Sequence, residues 1–125
     1  KKANVFIVDD DAMFTAMLAD HLEAQGLYQT HQFLTGEDAL AHMDDEPDFV
    51  LLDFYLDSQH VNAANGLSIL KEMHKKHPHS KIIMLSAQEH YGVAAQTIAS
   101  GALHYVIKDE KAFEEIDNVL KGMME

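Results

Sequence analysis

The stretch Phe49-Val50-Leu51-Leu52-Asp53 places four apolar residues directly before a carboxylate. A short, unbroken apolar run of this kind is typical of a strand that is buried on both faces, as in the middle of a parallel sheet. Parallel sheets bind their ligands at the carboxyl ends of their strands. We therefore predict that Asp53 lies at the functional edge of the protein.

Three further apolar runs are predicted to be strands that end in polar side chains. The residues at these ends are, in chain order, Asp9 and Asp10, then Ser86, then Lys108. Asp11 follows the first acidic pair and is suited to cap the helix that comes next. Each of these residues has an ordinary explanation as a cap, a turn former or a solvated strand end. Their shared position after an apolar strand favours a common site.

Helical patterns alternate with the strands along the whole chain. The predicted strands are residues 3–8, 28–33, 49–53, 81–86 and 104–108, and the predicted helices are residues 12–25, 35–43, 66–78, 89–100 and 112–124. Such alternation with short connections predicts one α/β domain over residues 1–125, with an open parallel sheet covered by helices on both faces. We expect the doubly wound, flavodoxin-like strand order 2-1-3-4-5.

Composition narrows the classes of function. The formal charge is -12, with nine lysines and no arginine, which argues against binding of nucleic acid or an anionic membrane through this domain. There is no cysteine, and no apolar run reaches the roughly 18–20 residues of a membrane span. We predict a cytoplasmic protein. The chain begins with Lys1, so a stand-alone protein and a fragment of a longer one both stay open.

The polar strand ends suggest phosphoryl chemistry. Carboxylates held close together raise one another's pKa unless a cation lies among them, and oxygen ligands of this kind suit Mg²⁺. An aspartate can attack phosphorus and form an aspartyl phosphate. The phosphoryl oxygens would then be bound by Mg²⁺, the Ser86 hydroxyl and the Lys108 ammonium.

The sequence resembles the response-regulator receiver domain of two-component signalling over essentially its whole length. The resemblance rests on the acidic pair after Val5-Phe6-Ile7-Val8, on Leu51-Leu52-Asp53, on Met84-Leu85-Ser86-Ala87 and on Tyr105-Val106-Ile107-Lys108-Asp109. Each motif is weak alone, but all four occur in the order and at the separations of that family.

The resemblance implies a role for each site residue. Asp53 would be the phosphoacceptor, Asp10 would bind Mg²⁺ directly, Asp9 would bind it mainly through water, and the backbone carbonyl of Tyr55 would complete the metal ligands. Beyond the metal, Ser86 would be the switch hydroxyl, Lys108 the phosphate-binding lysine and Tyr105 the aromatic switch.

The same resemblance implies the partners. A histidine kinase or a histidine phosphotransfer protein would donate the phosphoryl group. The surface of the fourth helix, the fifth strand and the fifth helix would then change for a downstream effector or a fused output domain. The domain would catalyse its own phosphorylation and slow dephosphorylation without being a metabolic enzyme.

The chain departs from the family pattern after Asp53. The loop at residues 54–65 is several residues longer than is usual and has no proline, so we expect it to be mobile or locally remodelled. Asp57 and His60 in this loop are more readily explained as solvated residues than as metal ligands. Tyr55 and Gln88 are expected to flank the path of the attacking water.

Three other functions stay open. A receiver-like adaptor would bind partners without being phosphorylated, and Mg²⁺ affinity would distinguish it. A phosphatase with an aspartate nucleophile would use the Asp-x-Asp spacing of residues 9–11, but the chain is too short for the usual cap. An FMN site is the least favoured, because the loop after the first strand is acidic where a phosphate would bind.

Overall fold

A computed structural model of the chain describes residues 1–56, 65–87 and 91–124. Within these ranges five strands alternate with five α-helices, as the sequence predicted. The strands are β1 (Ala3–Val8), β2 (Tyr28–Phe33), β3 (Phe49–Asp53), β4 (Lys81–Ser86) and β5 (His104–Ile107). The helices are α1 (Ala12–Glu23), α2 (Gly36–Ala41), α3 (Gly66–Lys76), α4 (Tyr91–Ala99) and α5 (Ala112–Met124). None of the helices in these ranges has both the length and the apolar character of a membrane span.

The strands form one parallel sheet in the order β2-β1-β3-β4-β5. This confirms the predicted α/β, doubly wound topology. Strand β3 is central and every one of its residues is buried, which explains its unbroken apolar sequence. Its residue Leu51 pairs with Ile7 of β1 on one side and with Ile83 of β4 on the other. All five strands therefore present their carboxyl ends at the same edge.

Alternate strand residues face two separate apolar cores. The core on the side of α1 and α5 includes Val5, Leu51, Leu18, Ile116 and Leu120. The core on the other side, against α2 and α3, includes Phe6, Val50, Ala39, Ile69 and Met73. Two-sided burial of this kind is what requires the central strands to be apolar at every position.

Helix α1 is shorter than predicted and ends at Glu23 rather than at residue 25. The N–H groups of Gln25 and Gly26 donate to the carbonyls three residues earlier, at 3.2 and 3.1 Å, which tightens the last turn. Gly26 then takes a φ of 74°, a left-handed value that ends the helix.

The second helix also ends early, at Ala41, and a 3-10 turn covers Met43–Asp45. The sequence predicted helix to residue 43 and a turn from residue 44. Met43 is buried against the second core, and Glu46 has a left-handed φ of 53° that redirects the chain toward β3. The burial of Met43 and the turn at Glu46 therefore end the helix earlier than the sequence pattern predicted.

Smaller differences occur at the ends of three other elements. Helix α3 ends at Lys76, two residues before the predicted end. Strand β5 ends at Ile107, one residue before Lys108, and α4 ends at Ala99, one residue before Ser100. The predicted start of that helix, at residue 89, lies outside the described residues.

A substitution in α2 tests how closely α2 and α3 pack. A Cβ added at Gly36 would lie 2.3 Å from Cγ1 of Ile69, which is 2% exposed, so this buried side chain would have to shift. We expect Gly36→Ala to lower the free energy of unfolding by about 1–3 kcal/mol, measured by urea denaturation. Gly122→Ala is the matched control, because nothing lies within 4 Å of its added Cβ. It should stabilise the protein by about 0.5–1 kcal/mol, and equal effects of both changes would contradict the close packing.

Candidate functional site

Backbone hydrogen bonds fix the strand ends at the carboxyl edge of the sheet. The N–H of Phe54 donates to the carbonyl of Leu85 at 2.8 Å, and the N–H of Lys108 donates to the carbonyl of Ser86 at 2.8 Å. The residues that follow β3 and β5 are thereby tied to the end of β4.

Three carboxylates meet at this edge. Asp9, Asp10 and Asp53 are 0%, 5% and 4% exposed, and one oxygen from each lies within 4.8 Å of the others. The expectation that these side chains gather although they are distant in the sequence is thus confirmed. Buried oxygen ligands at this spacing can hold a metal ion, and the set has the chemistry that hard divalent cations prefer.

The third residue of the acidic run has a different place. The Oδ1 of Asp11 accepts a hydrogen bond from the N–H of Phe14 at 3.1 Å and so caps α1, as the sequence predicted. The N–H of Asp11 in turn donates to the Oδ1 of Asp9 at 3.0 Å. The cap therefore also holds the Asp9 carboxylate in position.

The Lys108 side chain enters the same pocket from the end of β5. Its Nζ forms ion pairs with the Oδ2 of Asp9 and, at 3.1 Å, with the Oδ1 of Asp53. The lysine side chain is only 16% exposed, so the ammonium is largely removed from water. Within the part of the chain that the structure describes, the Lys108 ammonium thus offsets part of the negative charge of this group.

Burial and charge shift the pKa values of these groups. Burial, reinforced by Asp9, raises the pKa of Asp53 from the ordinary 3.8 to about 6, against the opposing effect of Lys108. Burial also raises the pKa of Asp9, again opposed by Lys108. Burial alone would lower the pKa of Lys108, but Asp53 and Asp9 more than offset it and the pKa is raised. The sequence predicted repulsion between carboxylates, whereas desolvation is the larger cause.

The predicted switch residues lie on one face of neighbouring strands. Ser86 is fully buried at the end of β4. Tyr105 of β5 pairs with Met84 of β4, two residues before Ser86, and is half-buried against the second core. Because side chains two residues apart share a face, Ser86 and Tyr105 are placed on the same side of the sheet.

Tyr55 is half-buried, and its ring lies edge-on to that of Phe54, with 4.9 Å between the two ring centroids. The predictions for Asp57, for His60 and for the rest of residues 57–64 fall outside the described residues. The prediction for Gln88 does so as well. The roles assigned to the individual site residues stay predictions.

Two contacts near the site were missed by the sequence analysis. A Cβ at Gly66 would lie 2.2 Å from the backbone oxygen of Asp53, so glycine is required where α3 meets β3. Its position at the start of a helix was visible in the sequence, but the close contact was not. The second contact places the Lys108 Nζ 4.6 Å from the ring centroid of Phe14. No local pattern in the sequence indicates that Phe14 reaches Lys108, which lies at the far end of the chain.

Comparison with known proteins decides the family. Residues 5–121 match the family model of the response regulator receiver domain. The chain belongs to this family. It is 30% identical to the chemotaxis protein CheY of Thermotoga maritima, over 83% of each chain. It is 32% identical to the regulatory protein AtoC of Escherichia coli, over 83% of this chain but only 22% of that one. This receiver domain thus spans most of one relative and about a fifth of the other.

Solved structures agree with the receiver fold. The receiver domain of NtrX from Brucella abortus is 28% identical with a TM-score of 0.81, over 94% of this chain and 95% of that one. A CheY-like receiver domain protein from Methanospirillum hungatei has a TM-score of 0.84 over 98% and 94% of the two chains. At 23% identity this second likeness supports the fold alone.

The raised pKa of Asp53 predicts a pH dependence of stability. The folded protein binds this proton more tightly than the unfolded chain, because the pKa is about 6 in the fold and 3.8 ordinarily. The free energy of unfolding of the metal-free receiver should therefore fall as pH rises from about 4 through about 6, by up to about 3 kcal/mol. Urea denaturation in a chelator at several pH values measures this.

Asp53→Asn removes the titrating group, so its stability should decline less over the same pH range. Asp20→Asn removes an equal charge from the exposed side of α1 and should keep the wild-type pH dependence. Parallel pH profiles for the wild type and Asp53→Asn would contradict the raised pKa of Asp53.

Proposed function

We propose that this receiver is a phosphorylation switch and that Asp53 is its phosphoacceptor. The observation that carries the proposal is the burial of the Asp53 carboxylate between two other carboxylates and the Lys108 ammonium. In the reaction a carboxylate oxygen of Asp53 bonds to phosphorus, and the phosphorus–nitrogen bond of a phosphohistidine breaks. The imidazole nitrogen that leaves takes up a proton. The donor is a histidine kinase or a histidine phosphotransfer protein.

Mg²⁺ is the cofactor that the donor set favours. The residues that would hold it are Asp10 and Asp53 directly, Asp9 mainly through water, and the backbone carbonyl of Tyr55. Support comes from the buried carboxylate oxygens and from the raised pKa of Asp53. When bound, Mg²⁺ supplies positive charge that offsets the repulsion between the carboxylate and the incoming phosphoryl oxygens.

Lys108 and Ser86 are proposed to bind the transferred group. The Lys108 ammonium already contacts Asp53 and can move a short distance to a phosphoryl oxygen. A charge-assisted hydrogen bond of this kind is about twice as strong as a neutral one. The buried Ser86 hydroxyl, at the end of the strand beside β3, can donate a further hydrogen bond.

The signal is proposed to pass from Ser86 to Tyr105 and then to the surface of α4, β5 and α5. The placement of Ser86 and Tyr105 on one face of adjacent strands supports this order of events. Large apolar side chains are already exposed nearby, at Ile98 on α4 and at Leu103 just before β5, 46% and 51% respectively. Such side chains can contribute apolar contacts to a partner.

The partner on the output side is proposed to be an effector protein or a fused output domain. AtoC is named a regulatory protein and NtrC of Salmonella typhimurium a DNA-binding transcriptional regulator, and the chain covers only 22% and 21% of them. The proposal takes residues 1–125 as one receiver domain without a metabolic activity, which slowly hydrolyses its own aspartyl phosphate. The cytoplasmic location predicted from the sequence remains part of this proposal.

Phosphorylation by a small donor tests the assignment of Asp53. Incubated with acetyl phosphate and Mg²⁺, the wild type should gain one phosphoryl group by intact-mass spectrometry, and a chelator should prevent this. Asp53→Asn should gain none, because the nucleophilic carboxylate is absent. The exposed Asp20→Asn should react like the wild type.

Phosphoryl uptake by Asp53→Asn to the wild-type extent would refute the assignment. A wild-type receiver that neither binds Mg²⁺ nor takes up phosphoryl groups would instead favour the adaptor function.

Removal of Lys108 separates phosphoryl transfer from metal binding. Lys108→Ala should lower the phosphorylation rate on the order of 100-fold, since it removes one preorganised donor to the developing charge. It should bind Mg²⁺ at least as tightly as the wild type, because a competing positive charge has gone. Stopped-flow kinetics and a Mg²⁺ titration measure the two effects. A parallel loss of Mg²⁺ affinity would show that Lys108 instead maintains the acidic pocket.

A further inference from the structure

An aromatic ring borders the acidic pocket on the side of α1. The Lys108 Nζ lies 4.6 Å from the ring centroid of Phe14, within the range of a cation–π interaction. The same ammonium contacts Asp9 and Asp53. Lys108 is therefore held by two carboxylates and by one ring face, and these two kinds of contact respond differently to a metal ion.

The ring of Phe14 is itself held in place by α5. It packs edge-on against the ring of Phe113, with 5.9 Å between the ring centroids. The Phe113 ring also packs against the His21 ring, with 5.0 Å between the centroids. His21 is bound in turn to the Asp117 carboxylate, with Nε2 at 2.8 Å from Oδ2. These contacts along the seam between α1 and α5 restrict the freedom of the Phe14 ring to turn away from Lys108.

We propose that Phe14 is a positioning residue that keeps the Lys108 ammonium beside Asp53 when a divalent cation occupies the acidic pocket. This inference rests on the proposed function. The carboxylates that contact the Lys108 ammonium are the groups expected to bind the cation. A bound cation weakens their attraction for the ammonium and repels it. The Phe14 ring is uncharged, so its contact with the ammonium persists.

The Phe14 ring would keep the Lys108 ammonium in place for phosphoryl transfer. A lysine side chain has four rotatable carbon–carbon bonds in its stem and gains entropy when its ammonium swings into water. Without the ring, the ammonium would have to be recruited from solvent for each reaction. With the ring, it stays beside Asp53 and needs only a short movement to a phosphoryl oxygen.

Nuclear magnetic resonance tests the position of Lys108 without any phosphorylation. Methylene protons next to the Lys108 ammonium lie near the Phe14 ring face and should be shifted upfield of those of Lys121, which is exposed. In the full chain we expect this shift to persist when Mg²⁺ saturates the site. It should vanish in Phe14→Leu and remain in Phe14→Tyr. Movement of the wild-type Lys108 signals to the Lys121 values on adding Mg²⁺ would overturn the proposal.

Kinetics test the consequence. At saturating Mg²⁺, Phe14→Leu should take up phosphoryl groups from acetyl phosphate about threefold to thirtyfold more slowly, the range expected for a partly desolvated cation–π contact. Its Mg²⁺ affinity should match the wild type, and Phe14→Tyr should restore most of the rate. Phe33→Leu is the matched control, because Phe33 is a half-buried ring that packs on the opposite face of the sheet. It should react like the wild type.

The outcomes separate this inference from the proposed function. A wild-type rate in Phe14→Leu, with Asp53→Asn inactive, would overturn the role of Phe14 and leave Asp53 as the phosphoacceptor. An unreactive wild type would instead refute the proposed function. The Lys108 signals in Mg²⁺ would then decide alone whether the ring holds the ammonium.

Discussion

The close approach of three buried carboxylates is the constraint on which the rest of the structure depends. Asp9, Asp10 and Asp53 are almost excluded from water, and the pKa of Asp53 rises to about 6 as a result. An arrangement of this kind opposes folding whenever the carboxylates are charged, so the remainder of the chain must hold them in place. The two apolar cores, one on each face of the sheet, provide that rigidity.

The strand order explains how the Lys108 ammonium reaches the group of three carboxylates. Strand β4 lies between β3 and β5, and its last residue, Ser86, is small and buried. The long Lys108 side chain can therefore pass from the end of β5 across the end of β4 to contact Asp53. A lysine suits this path because its charge sits at the tip of a flexible apolar stem, and the stem tolerates burial where the charge does not.

The sheet and the membership of the acidic pocket could be predicted because both follow from local patterns. Apolar runs such as the one ending at Asp53 identify buried strands, and parallel topology then brings their ends together. Gly26 indicated where α1 stops, but the tightening of its last turn into hydrogen bonds three residues apart was not visible in the sequence. The 3-10 turn after α2 was not predicted either, since it depends on Glu46 adopting a left-handed conformation within the folded chain. The contact between Phe14 and Lys108 depends on how α1 is rotated against the sheet, which the sequence of α1 alone does not specify.

Backbone hydrogen bonds hold together the two ends of the connection between β3 and α3. Phe54 donates its N–H to the carbonyl of Leu85 and accepts, at 3.0 Å, the N–H of Gly66 on its own carbonyl. One residue thus joins the end of β3, the end of β4 and the start of α3. Gly66 makes the join possible, because any side chain there would collide with the backbone oxygen of Asp53. Extra residues inserted between these fixed points need not move Asp53, since the two flanks of the insertion are already bonded to each other. The entropic cost of closing a loop rises only with the logarithm of its length, so residues added between bonded flanks cost little stability. The hydrogen bonds of Phe54 thus fix the end of β3 at the acidic pocket independently of the length of the connection that follows.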